Sequence, residues 1–135
     1  MKGYQPLSPP LGLGYIAHVM SKHNIDVQLV DLYATPHTEA EITDIVARHT
    51  PRVVGCHCYS ESSSNAVRIC RLVKQIDPTI MTVLGGPHAT FAYQELLGDC
   101  SVDVVVLCEG EHTMLDIWGV ACARPVRFDH VPGIA

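Results

Sequence analysis

The chain has 135 residues, 47% of them hydrophobic and 17% charged, which suits one domain with a real core and excludes both a disordered chain and a two-domain one. The net charge of −5, with no basic stripe, excludes a nucleic-acid backbone as partner. No apolar run approaches the ~20 residues that span a bilayer, and the N-terminus has no signal-peptide core. A cytoplasmic protein is expected, without a membrane partner, and its six cysteines are then thiols.

Residues 1–11 are rich in proline and carry no strand pattern. A helix follows from Gly12 to His23, with Ile16, Val19 and Met20 at helical spacing. Gly12 and Gly14 would let its start lie close to a ligand or to a strand. Asp26–Asp31 reads as a strand. Thr38 and Glu41 match a capping box, and the helix behind them buries Ile42, Ile45 and Val46. Val53–Cys58 is the next strand. Serines at 60 and 62–64 are good helix starters, and Ala66, Val67, Cys70, Val73 and Ile76 make the apolar face of the helix they begin.

The apolar run Ile80–Leu84 reads as a buried strand that breaks into Gly85-Gly86-Pro87-His88. Paired glycines at a strand's carboxyl end permit unusual backbone angles and leave no side chain, so a flat ligand can lie against the main chain. Phe91–Leu97 is a short helix with Gly98 as its stop. Val102–Cys108 is continuously apolar, which suits a sheet buried on both faces. Glu109-Gly110-Glu111 closes it, Thr113–Val120 is helical, and 123–135 is irregular.

Strands alternating with helices predict an α/β fold: a Rossmann-like, flavodoxin-like, doubly wound parallel sheet in three αβα layers, spanning residues 1–135 as one domain. In such a sheet the carboxyl ends of the strands form the ligand-binding edge. That rim collects His57-Cys58-Tyr59-Ser60, Gly85-Gly86-Pro87-His88 and Glu109-Gly110-Glu111, joined by the helix start at Leu11-Gly12-Leu13.

The ordered set Pro9-Pro10-Leu11-Gly12-Leu13-Gly14, Val30-Asp31-Leu32, Val53-Val54-Gly55, Gly85-Gly86-Pro87-His88-Ala89-Thr90, Glu109-Gly110-Glu111 and Pro132-Gly133-Ile134-Ala135 resembles the N-terminal cobalamin-binding domain of cobalamin-dependent radical SAM enzymes, the methyltransferases and the anaerobic magnesium-protoporphyrin monomethyl ester cyclases. The resemblance implies a corrinoid over the rim. Its nucleotide tail would thread between the strand ending at Gly55–Tyr59 and the one ending at Gly85–Gly86. The glycines would give it room; Pro87, His88 and Glu109-Gly110-Glu111 would line the rim; Leu11, Gly12 and Leu13 would lie beneath or beside the ring, where no histidine stands to ligate cobalt.

Three departures from the family pattern accompany the resemblance. The first strand is missing from Met1–Ser8, so the start lies upstream, or a partner such as a second copy supplies the strand, or the fold is weakened. The cysteine motif for an iron–sulfur cluster is absent, so the cluster, S-adenosylmethionine and catalysis would belong to a radical SAM catalytic domain outside this chain. Serine is frequent in relatives at the position of His57; an imidazole there would hydrogen-bond the tail or clash with it.

Rival readings remain open. A notch filled by His57 and Tyr59 would favour a flavodoxin-like module that binds a nucleotide or a partner without corrinoid. Cys56, His57, Cys58, His88 and Cys108 suggest a zinc site, but their spacing matches no closed one, and strand cysteines are commonly core residues. No metal ligand and no catalytic residue is assigned. His88 is either a rim contact or a cap of the following helix. Glu109 and Glu111 are either an acid–base pair or loop carboxylates, Glu111 favoured near a helix N-terminus.

Overall fold

The structure is a computed structural model and describes residues 10–135. Three strands, β1 (Val53–His57), β2 (Met81–Gly85) and β3 (Val104–Val105), form one sheet in the order β1-β2-β3, all parallel. Five helices surround it: α1 (Leu11–Lys22), α2 (Glu39–His49), α3 (Ser63–Ile76), α4 (Pro87–Leu96) and α5 (Glu111–Cys122). The doubly wound α/β expectation holds, and none of these helices is long and apolar enough to cross a membrane.

The layers follow from the two-residue period of the strands. Leu84 and Val105 face Ala66 and Cys70 of α3 and Ala89 and Leu96 of α4. Met81, Val83, Val104 and Val106 face Ile117 and Ala121 of α5. α1 lies along α5, and α2 joins the opposite layer, where its Ile42 and Val46 meet Val73 of α3. With both faces covered, Met81–Leu84 and Val104–Val106 are all buried, as their unbroken apolar sequence predicts.

The amino end of the sheet is tied by a polar cluster. Asp103 accepts from the Lys74 ammonium at 2.6 Å and from the Thr82 amide at 2.7 Å. The buried Thr82 hydroxyl donates to the Ser101 carbonyl at 2.5 Å and accepts from the Asp103 amide at 3.2 Å. α3, β2 and β3 thus share one network, whose buried members leave no cheap substitute partner.

Several local signals read as the residues dictate. The capping box is made: the Glu41 amide donates to Thr38 Oγ1 at 3.2 Å, and the Thr38 amide to Glu41 Oε2 at 2.6 Å. Other expectations need correction. α4 begins at Pro87 rather than Phe91, because a proline's fixed φ and missing N–H suit a first helical turn. α5 begins at Glu111 rather than Thr113. β3 has only two residues, although the Asp103 and Val106 amides still reach the Thr82 and Leu84 carbonyls of β2, at 3.1 and 2.8 Å. The irregular end is partly ordered: Ile134 forms an antiparallel bridge with Val106, and the Val105 and Ala135 amides and carbonyls pair reciprocally at 3.0 and 2.9 Å.

Asp26–Asp31 is paired in no strand among the described residues. In a flavodoxin-like order the second strand pairs only with the first, and the described residues hold no such first strand. The expectation for Met1–Ser8 lies outside them. β1 is therefore an edge in the described sheet. The Met81 amide takes the Arg52 carbonyl at 2.9 Å and the Cys58 amide takes the Gly85 carbonyl at 2.7 Å. By alternation, the main-chain groups of Val53, Gly55 and His57 face away from β2.

Thr82→Val keeps the volume but deprives Ser101 and Asp103 of a partner. Urea unfolding followed by circular dichroism is expected to show a loss of about 1–3 kcal/mol.

Candidate functional site

Parallel pairing carries β1 and β2 to the same rim, with His57 opposite Gly85. The loop after β2 turns at Gly86, whose φ of +106° and ψ of −179° belong to a region that only glycine occupies without strain. A Cβ built there would lie 2.2 Å from His57 Cδ2, 2.5 Å from His57 Nε2 and 3.1 Å from the Cys58 carbonyl oxygen. The imidazole thus fills the space that the absent side chain leaves.

That filling corrects the expectation of an open slot beside Gly86. The His57 ring stacks on Tyr59, with centroids 4.3 Å apart and planes inclined by 25°, so the next exposed ring holds it in place. His57 Nε2 is buried and has no hydrogen-bond partner. Burial also pushes the imidazole's pKa below its ordinary value, because the charged form loses hydration there.

Hydrogen bonds knit the two loops around this notch. Ser60 Oγ and His88 Nδ1 stand 3.1 Å apart, and the His88 amide donates to the Cys58 carbonyl at 3.2 Å. His88 belongs to the first turn of α4 and is not its cap, a place held by Gly86. Thr90, absent from the expected site residues, donates its hydroxyl to the Gly86 carbonyl at 3.2 Å and accepts from the Cys108 amide at 3.0 Å. It joins the ends of β2 and β3. The signal for it is a hydroxyl one helical turn beyond Gly86, where it reaches back to the carbonyl of residue i−4.

Seven expected site residues, His57, Tyr59, Ser60, Gly85, Gly86, Pro87 and His88, therefore come together around one notch. Gly110 caps α5 and lies against Ile16 of α1 and Val106, whose Cδ1 and Cγ1 would be 3.3 and 3.5 Å from an added Cβ. Glu111 sits in the first turn of α5, where a carboxylate complements the free amides. Leu11, Gly12 and Leu13 form the first turn of α1. Among the described residues a Cβ at Gly12 or Gly14 would meet nothing within 4 Å.

Leu11, Tyr15, Tyr59 and Phe91 are exposed, Phe91 to 88%. Leu11, Gly14, Tyr15 and His18 border a shallow hollow of about 390 Å³ on α1. A second cavity, about 470 Å³ and bordered by Arg52, Asp77, Met81 and Arg124, lies at the amino end of the strands, away from the edge where open α/β sheets hold ligands.

The cysteines of β1 and its following loop belong to the core. Cys58 and Cys70 are buried together with Leu84, and Cys56 packs against them. Hydrogen bonding to Cys70 and burial push the Cys56 thiol up, and burial does the same to Cys58, so neither readily becomes the thiolate a metal binds. Among the described residues no three His, Cys, Asp or Glu side chains are grouped to hold a metal ion.

Comparison with known proteins finds the B12 binding domain family matching residues 4–117. An uncharacterized methyltransferase of Pyrococcus horikoshii is 32% identical over 110 residues, 81% of this chain and 24% of that protein. A cytidylyl-2-hydroxyethylphosphonate methyltransferase of Streptomyces wedmorensis is 31% identical over 93% of this chain and 27% of its own length. An anaerobic magnesium-protoporphyrin IX monomethyl ester cyclase of Rubrivivax gelatinosus is 32% identical over 81% of this chain and 20% of its own. The chain thus spans between a fifth and about a quarter of these relatives. The N-terminal domain of a hypothetical protein from Thermotoga maritima shares the fold, with a TM-score of 0.58 at 18% identity, covering 87% of this chain and 91% of that one.

Two measurements test the notch. Gly86→Ala is expected to cost about 1–3 kcal/mol from backbone strain alone. In the parent chain it is expected to cost at least about 1 kcal/mol more than in a His57→Ser background, where the clash is gone; equal costs in a urea double-mutant cycle would show that the ring does not hold that space. The lowered pKa of His57 means that the unfolded chain takes up the proton more readily than the folded one. The stability it contributes is complete above the ordinary value of 6.5 and declines as pH falls below it. His57→Gln is expected to remove that part of the decline in urea midpoints between about pH 7.5 and 5.5.

Proposed function

The chain belongs to the B12 binding domain family, and from that premise we propose that it binds a corrinoid of the cobalamin class on the carboxyl rim of its sheet and presents it to the catalytic domain of a longer enzyme. The observation that carries this reading is the gathering of the Gly85-Gly86 loop, Tyr59, Ser60 and His88 at the ends of β1 and β2, the edge where open parallel sheets take ligands.

The residues present fit the corrin ring better than its tail. Leu11, Tyr15, Tyr59 and Phe91 offer exposed apolar contact, of the kind that supplies most of the area of small-molecule sites. Leu11, Gly12 and Leu13 would support the ring from α1. The Ser60–His88 pair would hold the two loops at a fixed spacing, and Glu109, Gly110 and Glu111 would offer polar groups at the start of α5. The notch does not fit an inserted base while the His57 ring stands against Gly86.

When bound, the corrinoid's cobalt supplies methyl or electron carriage. The chain's own part is to hold and orient, and catalysis would fall to another domain. The lengths of the relatives, and the methyltransferase and cyclase activities in their names, support a radical SAM enzyme as the parent, with its iron–sulfur cluster and S-adenosylmethionine held in that other domain. The outward main-chain groups of Val53, Gly55 and His57 on β1 would accept a further strand, from a second copy or from the parent enzyme.

A second reading is a partner- or nucleotide-binding module of the same fold without corrinoid; the filling of the notch by His57 and Tyr59 favours it.

Titrating the purified chain with hydroxocobalamin separates the two. A shifted visible spectrum and co-elution of the corrinoid from a sizing column are expected. No shift at high micromolar cofactor, in a chain shown to be folded by circular dichroism, would favour the second reading. If a second copy covers β1, the sizing column will show a dimer and the Val53, Gly55 and His57 amides will be protected from hydrogen exchange; a monomer with fast exchange there argues against it.

A further inference from the structure

The misfit at the notch is itself informative. A ring that merely filled space could be aliphatic. His57 instead brings a nitrogen that is buried with no hydrogen-bond partner, and an unpaired buried polar atom weighs against the folded state. It lies beside a glycine whose Cβ would meet the ring at 2.2 Å, and it is held by stacking on Tyr59 at 4.3 Å. The volume, the unpaired nitrogen and the stacked neighbour all sit at the carboxyl ends of β1 and β2, where the corrinoid reading would put the tail.

Building on the corrinoid reading, we infer that His57 sets the tail specificity of the site: this chain prefers a corrinoid lacking the nucleotide base to one that carries it. An aromatic base entering the notch must expel the imidazole from its place against Gly86 and break its stacking on Tyr59, which orients the two rings favourably. A base-free corrinoid needs no such displacement. Its short arm, ending in a hydroxyl, can stay at the mouth of the notch and leave the ring and its stacking on Tyr59 in place. The rim aromatics serve both ligands alike, so the discrimination falls on one side chain. The lowered pKa of His57 agrees with a neutral ring in this notch.

The test compares aquacobinamide with hydroxocobalamin, each titrated into the purified chain and followed by visible absorbance. Cobinamide is expected to bind at least about tenfold more tightly, ~1.4 kcal/mol. His57→Ser, which opens the notch, is expected to raise cobalamin affinity by about tenfold and to leave cobinamide unchanged or weaker. His57→Asn, smaller yet still polar, is expected to fall between them and guards against a folding defect in the serine variant; circular dichroism and urea midpoints check both. Cobalamin binding as tightly as cobinamide to the parent, or an affinity ratio unmoved by either substitution, would overturn the role of His57 while leaving corrinoid binding standing. Failure of both corrinoids to bind the folded parent and both folded variants would remove corrinoid binding and this inference together.

Discussion

One shared volume governs the functional end of this molecule: the side chain that Gly86 lacks and the side chain that His57 has occupy the same space. The parallel register sets this up, because pairing His57 with Gly85 brings the last residue of β1 beside the turn that leaves β2. The positive φ of Gly86 then folds the chain back so that its missing Cβ direction points at the imidazole. Neither residue can be changed without changing what the other is free to do.

The rest of the fold keeps that register in place from the far end. Lys74, Thr82, Ser101 and Asp103 tie α3, β2 and β3 together where the strands begin, and apolar layers cover both faces between. The rim is thereby relieved of much structural duty. It can keep aromatic side chains in solvent, an unpaired imidazole nitrogen and a glycine turn, features that would weaken a core. The loops there still hold their spacing, through the Ser60–His88 contact and the double role of the Thr90 hydroxyl.

The edge of β1 has a different logic. A β-strand is defined by its neighbour, and the alternation of hydrogen bonds along β1 uses one side for β2 and leaves the other unused among the described residues. Asp26–Asp31 has strand composition but pairs with no strand among the described residues.

The sequence by itself determined the alternation of elements, the buried parallel sheet, the capping box at Thr38 and the family, because each of these is written in local spacing: apolar runs of strand length, helical periods, and short motifs in order. It also indicated which residues would share a rim, since topology alone assigns strand ends to one edge. It did not reveal that Ile134 would pair with Val106, or that α4 would start at Pro87. Only the tertiary structure decided whether the glycine notch is open. That depends on where an imidazole, 29 residues earlier in the chain, comes to rest against the backbone of Gly86, and no local pattern carries the distance between two strands.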